Sequence, residues 1–229
     1  TIQANKITLM ETARSGIWYT NGITITDSKI QAPNTFRRAA DIKLERVEMP
    51  NPQETLWNCN DITLKQVNAV GDYFAMNSEN IRIEHFTLSG NYAFDGAKNI
   101  EISHAKLLSK DAFWNCENVV VRDSTIIGEY LGWNSKNITF IDCIIESNQG
   151  MCYMENVKME NCLLINTDLA FEYSTVDVQA NSHIDSVKNP ISGTITASGI
   201  GELILDDPEI AAENTKYQLA EDREYAIRL

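Results

Sequence analysis

The chain has 229 residues, 43% of them hydrophobic, so it can bury a substantial core, and its composition excludes a disordered or collagen-like chain. Its 32 acidic and 19 basic side chains give a net charge of −13, which opposes binding to nucleic acid or to an anionic membrane surface. No apolar run reaches the roughly 18 residues of a membrane-spanning helix, and five cysteines without paired spacing favour a reducing, cytoplasmic location. We therefore predict no nucleic-acid partner, no membrane partner and no cofactor.

An apolar residue, usually preceded by Asn or Asp, recurs along the chain about every 19 residues. We call these residues the anchors: Ile2, Ile23, Ile42, Ile62, Ile81, Ile100, Val119, Ile138, Val157 and Val176. A fixed period of this length is typical of a solenoid, in which each repeat stacks on the one before it. The repeat predicts one solenoid domain over residues 1–206.

Each repeat opens with an alternating pattern, because apolar residues lie at the anchor and two positions later with a polar residue between them. Apolar or small residues return five and seven positions after the anchor, so the alternation breaks once, as it does at a corner between two short strands. Gly or Ser ten positions before an anchor, followed by stretches such as "NYAFDG", predicts a turn and a third strand. Three strands per repeat predict an all-β, single-stranded right-handed parallel β-helix of about ten coils.

The ends of the chain require separate predictions. The irregular stretch after residue 180 predicts two or three further strands, and Asp207 as N-cap with Pro208 behind it predicts a helical tail over residues 207–229. The tail is predicted to cover apolar residues at outward positions of late coils: Val120, Ile141, Ile144 and Leu163. The bare edge of the first coil predicts either a homodimer formed through residues 1–12 or native N-terminal coils that this chain lacks.

Several runs of the repeats resemble a known family: "RSGIWYTNG", "ETLWNC", "GDYFAMNSENI", "GEYLGWNSKN" and "LAFEYSTVD". They are similar to a bacterial family of pectin-lyase-like β-helix proteins that is known as a domain of unknown function. The resemblance covers about residues 5 to 205 and implies the parallel β-helix fold. It implies no particular reaction, and it does not extend to the C-terminal tail.

Aromatic residues form two columns in the second half of the repeats, five and eight positions before the anchors. Together with neighbouring basic residues they make up the predicted ligand-binding set: Trp18, Arg37, Arg38, Trp57, Tyr73, Tyr92, Trp114, Tyr130 and Trp133. Rings interleaved with polar groups suit a sugar chain, because the rings stack on its apolar faces while the polar groups bind its hydroxyls. The candidate catalytic carboxylates of this region are Glu54, Asp72, Asp95, Asp111 and Glu129. Two of them on neighbouring coils would meet the roughly 5 to 9.5 Å separation that glycoside hydrolysis requires.

The same columns have a structural interpretation. Aromatic stacks fill β-helix interiors, and Asn stacks satisfy turn backbones, so the Trp residues and the Asn residues beside them are also candidates for a purely structural role. Burial of the whole column would bury the charges of Arg37 and Asp95, which is costly without partners, so we predict exposure of at least part of it. Arg37 either holds a ligand carboxylate or pairs with Glu54.

Two further stacks are candidates for metal or redox chemistry. His85 and His104 occupy equivalent positions on successive coils, followed by Asp123 and Asp142, and we interpret them as a solvent-facing turn column that holds no metal rather than as a zinc site. Cys143 and Cys162 are predicted to be buried free thiols stacked one coil apart rather than a disulfide.

The sequence thus predicts a β-helix whose aromatic and acidic groove binds a carbohydrate or another extended polar ligand. Cleavage of that ligand by a hydrolase or a polysaccharide lyase-like activity stays open, because the repeats lack the closely spaced Asp pairs and clusters of known β-helix enzymes. The alternative is a non-catalytic scaffold whose flat faces bind protein. A groove lined by exposed Trp and acidic residues supports the first function, and a smooth face supports the second.

Overall fold

The structure is a computed structural model that describes residues 1–14, 16–220 and 226–228. This described part holds one 3₁₀ helix, Ala212–Asn214, and twenty strands. The strands are β1 Ile2–Asn5, β2 Thr8–Leu9, β3 Ile17–Trp18, β4 Asn21–Ile30, β5 Phe36–Arg37, β6 Ala40–Met49, β7 Asn60–Val70, β8 Glu79–Ser89, β9 Lys98–Leu108, β10 Glu117–Arg122, β11 Thr125–Ile127, β12 Lys136–Ile141, β13 Ile144–Glu146, β14 Glu155–Ile165, β15 Thr175–Ala180, β16 His183–Lys188, β17 Ser192–Ala197, β18 Gly199–Ile204, β19 Thr215–Leu219 and β20 Ala226–Arg228.

The strands stack as a parallel β-solenoid of about eleven coils, which confirms the predicted fold. The main sheet has the order β1-β4-β6-β7-β8-β9-β10-β12-β14-β15-β17-β19, and its pairs are parallel. Anchors pair with anchors, as Ile62 does with Ile81 and Ile81 with Ile100. Equivalent residues of successive repeats therefore lie directly above one another, about 4.8 Å apart.

The predicted corner between the first two strands is a single residue with positive φ, four positions after each anchor from Ile2 to Val157. In β7, Leu64 and Val67 are buried while Lys65 and Gln66 between them are exposed, and Gln66 has φ 53°. The corner therefore changes the direction of the strand without interrupting its ladder. We call the outer surface of these long strands the strand face.

The third side of the coil differs from the prediction, because in most coils it is a run of turns rather than a strand. In one coil, Tyr73, Ala75 and Asn77 all have positive φ, between 51° and 60°. The ladder persists nonetheless: the amides of Tyr73 and Asn77 donate to the following coil and that of Ala75 to the preceding one, at 2.8 to 2.9 Å. We call the outer surface of this side, ten to three positions before each anchor, the turn face.

The core is built differently on the two sides. Aliphatic residues at and after the anchors fill the strand side, whereas the turn side contributes phenylalanines such as Phe74, Phe94 and Phe113, all fully buried. Phe94 and Phe113 stack with centroids 5.2 Å apart. The two sides meet in one continuous hydrophobic core.

The C-terminal region continues the solenoid, with coils of altered length. Val176 pairs with Gly193, and Gly193 pairs with Thr215. The tail differs from the helical prediction: its helical part is the short 3₁₀ helix, and β19 and β20 follow within the described residues. The physical reason is the open sheet edge, because pairing with β17 and β18 satisfies backbone groups that a helix would leave exposed. Residues 221–225 and 229 of that prediction lie outside the described part.

The described part of the tail leaves Ile144 and Leu163 uncovered, contrary to the prediction. Ile144 and Leu163 remain 39% and 40% exposed. β19 and β20 extend the stack along its axis instead of lying against its side. Within the described residues, no helix is long and apolar enough to cross a membrane.

Candidate functional site

Aromatic rings form a continuous column on the turn face. We call the following residues the aromatic column: Trp57, Tyr73, Tyr92, Trp114, Tyr130, Trp133, Tyr153 and Tyr173. Neighbouring centroids lie 4.8 to 6.4 Å apart. Tyr153 is 47% exposed and the other rings are partly buried. The column therefore belongs to the surface and not to the core, which phenylalanines fill on this side of the coil.

The rings of the column take two orientations. Tyr73 and Tyr92 are nearly parallel, with an interplanar angle of 5°, and so are Trp114 and Trp133, with 11°. Tyr92 and Trp114 cross at 88° where the two pairs meet. A ligand that follows the column thus meets rings in two orientations, since the column is not one uniform stack.

Each indole of the turn face is held by a backbone hydrogen bond. The Nε1–H groups of Trp57, Trp114 and Trp133 each donate to the carbonyl oxygen 16 residues later, on the next coil, at 2.6 Å. These bonds fix the ring positions and satisfy carbonyls of the turns. The structural and the binding interpretations of the column are therefore compatible, because the nitrogen is used by the fold while part of the ring stays accessible.

At the N-terminal end of the column, Arg37 lies between two indoles. Its guanidinium is 5.4 Å from the Trp18 ring and 4.5 Å from the Trp57 ring, and it forms an ion pair with Glu54 at 2.7 Å. The structure thus favours the ion pair over a ligand carboxylate for this residue. Arg38 is exposed beside Tyr19 and remains accessible to a ligand.

Three of the candidate catalytic carboxylates have separate local partners. Glu54 is held by Arg37, the Asp72 carboxylate accepts from the Asn91 amide at 2.7 Å, and the Asp95 carboxylate accepts from the Asn115 side chain at 2.8 Å. They lie on three successive coils. Each stabilises its own part of the turn face, and the structure shows no shared arrangement among these three within the described residues.

Asp111 and Glu129 are the two candidate carboxylates that interact with each other. Asp111 is only 2% exposed, and burial raises the pKa of its carboxyl, opposed by the Lys110 charge and the Tyr92 hydrogen bond and increased by the Glu129 charge. Glu129 is exposed and pairs with Lys110 at 3.3 Å, whose ammonium lies 5.2 Å from the Tyr130 ring. A ligand on the surface would therefore contact Glu129 before Asp111.

The C-terminal end of the column contains residues that the predicted set does not include. The Tyr173 hydroxyl donates to Asp207 at 2.7 Å, and this acceptor raises the pKa of Tyr173 to about 12. Lys188 pairs with the largely buried Glu172 at 2.8 Å. The regular period could not reveal them, because Tyr173 lies three positions before its anchor rather than five or eight and Asp207 belongs to the tail.

The other predicted stacks have mainly structural surroundings. His85 and His104 lie at the corner of the strand face with ring centroids 4.9 Å apart. The described residues contain no group of three His, Cys, Asp or Glu side chains arranged to hold a metal ion. Cys143 and Cys162 are buried and free, as predicted. Asn side chains before the anchors form a separate ladder, in which Asn99 donates to Asn80 at 3.1 Å.

Residues 1–218 match the family model described as a protein of unknown function, DUF3737. The chain belongs to this family. Among curated proteins no significant match was found. A solved structure titled as the catalytic domain of a GH87 α-1,3-glucanase in complex with nigerose is 8% identical, with a TM-score of 0.24. The alignment covers 99% of this chain and 58% of that chain, and likeness at this level carries no argument about function.

Proposed function

We propose that this protein binds an extended carbohydrate along the turn face. The observation that carries the proposal is the aromatic column, which places partly exposed Trp and Tyr rings on successive coils from Trp57 to Tyr173. Such rings bind the apolar faces of sugars and lose little conformational entropy on binding. A polymer of repeating units fits this surface, because the coils of the solenoid also repeat along its length.

Polar groups beside the rings support a sugar ligand. Asn134 donates to Asn115, and Asn115 donates to Asp95, each at 2.8 Å. A side-chain amide carries two N–H donors, and one of them is used in this ladder, so a second donor on each exposed amide is available to a hydroxyl. Aromatic rings beside hydrogen-bond donors and acceptors that the protein itself leaves unused are typical of carbohydrate sites.

The geometry supports binding more strongly than cleavage. A glycosidase needs two carboxyl groups that both reach the scissile bond, and in the pair Asp111 and Glu129 the first is buried. Cleavage would fall to this pair, with Asp111, whose pKa is raised by burial, as the acid. Loss of turnover in both Asp111→Asn and Glu129→Gln, with retained binding, would support cleavage.

A specific surface feature favours the alternative scaffold function. Leu108, Ile144, Leu163 and Ile165 are each 36 to 45% exposed on the last part of the strand face. Exposed apolar groups of this kind occur where proteins bind one another. A protein partner on this surface would be compatible with a carbohydrate on the turn face.

A glycan array on the purified protein, followed by calorimetry on each ligand found, tests the proposal. We expect Tyr153→Ala to weaken binding at least about tenfold, because it removes the most exposed ring of the column. His85→Ala is the matched control, since it removes an exposed ring from the strand face. Absence of binding to every glycan, or equal loss in both variants, would contradict the proposed function.

A further inference from the structure

The stacking register is regular over six consecutive coils. Their anchors are Ile62, Ile81, Ile100, Val119, Ile138 and Val157, and each pairs with the next at a constant separation of 19 residues. The register first shifts between β14 and β15, where Met159 pairs with Val178 but Cys162 pairs with Ala180. At roughly 4.8 Å per coil, the uniform part extends for about 24 Å between its first and last coil.

Side chains mark both ends of this uniform part. At the N-terminal end, Arg37 lies over one face of the Trp57 ring, 4.5 Å from its centroid, and the rest of that ring stays partly exposed. At the C-terminal end, Tyr173 is tied to Asp207 by the 2.7 Å hydrogen bond, which places the segment after β18 beside the column. The accessible stretch therefore runs from Trp57 to Tyr153, with one ring or amide position on each coil.

The charges within this stretch select against an acidic ligand. Asp72, Asp95, Asp111 and Glu129 lie on it, and Lys110 is the cation that accompanies them, already paired with Glu129. A uronic-acid polymer would bring further negative charge to this surface, which raises the free energy of binding. An uncharged sugar avoids this repulsion, and an amino sugar is attracted.

We propose that the ligand is a linear, extended, non-acidic glycan that lies parallel to the solenoid axis with one sugar on each coil. The inference rests on the proposed function and names its substrate class. An extended chain of equatorially linked pyranoses advances by nearly one coil spacing, roughly 4.8 Å, per sugar, so each sugar meets one ring of the aromatic column. A glycan that coils into a helix loses this register after one or two sugars.

Calorimetry with two glucose series tests the register, because they share composition and differ in shape. The probes are β-1,4-linked cello-oligosaccharides, which are extended, and α-1,4-linked malto-oligosaccharides, which are helical. We expect the affinity for the cello series to rise with each added sugar up to the hexasaccharide and then to stay constant. Maltohexaose should bind at least about tenfold more weakly. Chitosan oligosaccharides should bind at least as well as the cello series, and oligogalacturonides worse.

Removal of one coil gives a second test of the match between sugars and coils. Deletion of residues 81–99 joins Asn80 to Ile100, which restores the local sequence of the next repeat and shortens the column by one coil. The affinity should then stop rising at the pentasaccharide. If this variant does not fold, the length series on the intact chain decides.

The outcomes separate the two proposals. Equal affinity for the cello and malto series, or affinity independent of length beyond the disaccharide, would overturn the register while leaving carbohydrate binding intact. Failure of every glycan to bind would overturn the proposed function itself.

Discussion

The strand face and the turn face share one coil-to-coil ladder but maintain it in different ways. On the strand face, extended residues alternate inward and outward, and the outward ones form weak ion pairs such as Lys65–Glu84 at 3.7 Å. On the turn face, residues of positive φ reverse the direction of successive amides, and indole N–H groups bridge the coils. Parallel stacking therefore does not require continuous strands, and a side built of turns is free to carry large rings outward.

The largest expected effect tests whether the turn side is as much a part of the core as the strand side. Phe113→Ala should destabilise the protein by about 3 to 5 kcal/mol, because it leaves a cavity against Phe94. Ile102→Ala on the strand side should cost a similar amount, about 2 to 5 kcal/mol. Urea unfolding measures both. A cost below about 1 kcal/mol for Phe113→Ala would show that the turn side is only loosely attached.

The indole hydrogen bonds are the next test. Trp114→Phe keeps an aromatic ring but leaves the Tyr130 carbonyl without its donor, so we expect a loss of about 1 to 3 kcal/mol. Val70→Ala, at a strand-face position that is 57% exposed, should change stability by less than about 0.5 kcal/mol. Equal effects in the two variants would mean that the indole bond contributes nothing to the turn face.

Substitution of one arginine on each face compares the ion pairs of the turn face and the strand face. Arg37→Ala removes a guanidinium enclosed by two rings and bonded to Glu54 and Asn34, with an expected cost of about 1 to 2 kcal/mol. Arg82→Ala removes a 3.8 Å pair with Glu101 whose side chains are over 70% exposed, with an expected cost of about 0 to 1 kcal/mol. Added salt should abolish the effect of Arg82→Ala and leave most of that of Arg37→Ala.

The smallest expected effect is a pair of opposite pH dependences on the turn face. Because the pKa of Asp111 is raised, the folded state holds this proton to a higher pH than the unfolded state does. Its contribution to folding stability is therefore present in acid and is lost as pH rises from 3.8 through the raised pKa. The Tyr173 hydroxyl and the Glu209 amide lower the pKa of Asp207, so its contribution is present above 3.8 and is lost as pH falls. Asp111→Asn should make stability rise more steeply with pH, and Asp207→Asn should flatten the rise, as unfolding measured across the acid range will show.

The repeat made much of the fold predictable. The anchors Ile62, Ile81 and Ile100 pair with one another as the period requires, and the break in alternation marks the corner at Gln66. The aromatic column was predictable for the same reason, since residues such as Tyr73 and Tyr92 recur at the repeat length. The third strand was wrong for most coils, because aromatic residues favour strands on average and their sequence does not show that Ala75 or Phe94 adopts positive φ.

The sequence by itself determined the solenoid, its register and the set of residues that stack along it, since a constant period places equivalent residues above one another whatever their local conformation. Only the tertiary structure decided which of them the fold uses. Burial of Asp111, enclosure of Arg37 between two indoles and pairing of β19 with β17 depend on contacts between coils and at the end of the stack. Those contacts depend on side-chain direction and on the available sheet edge, which a one-dimensional period does not contain.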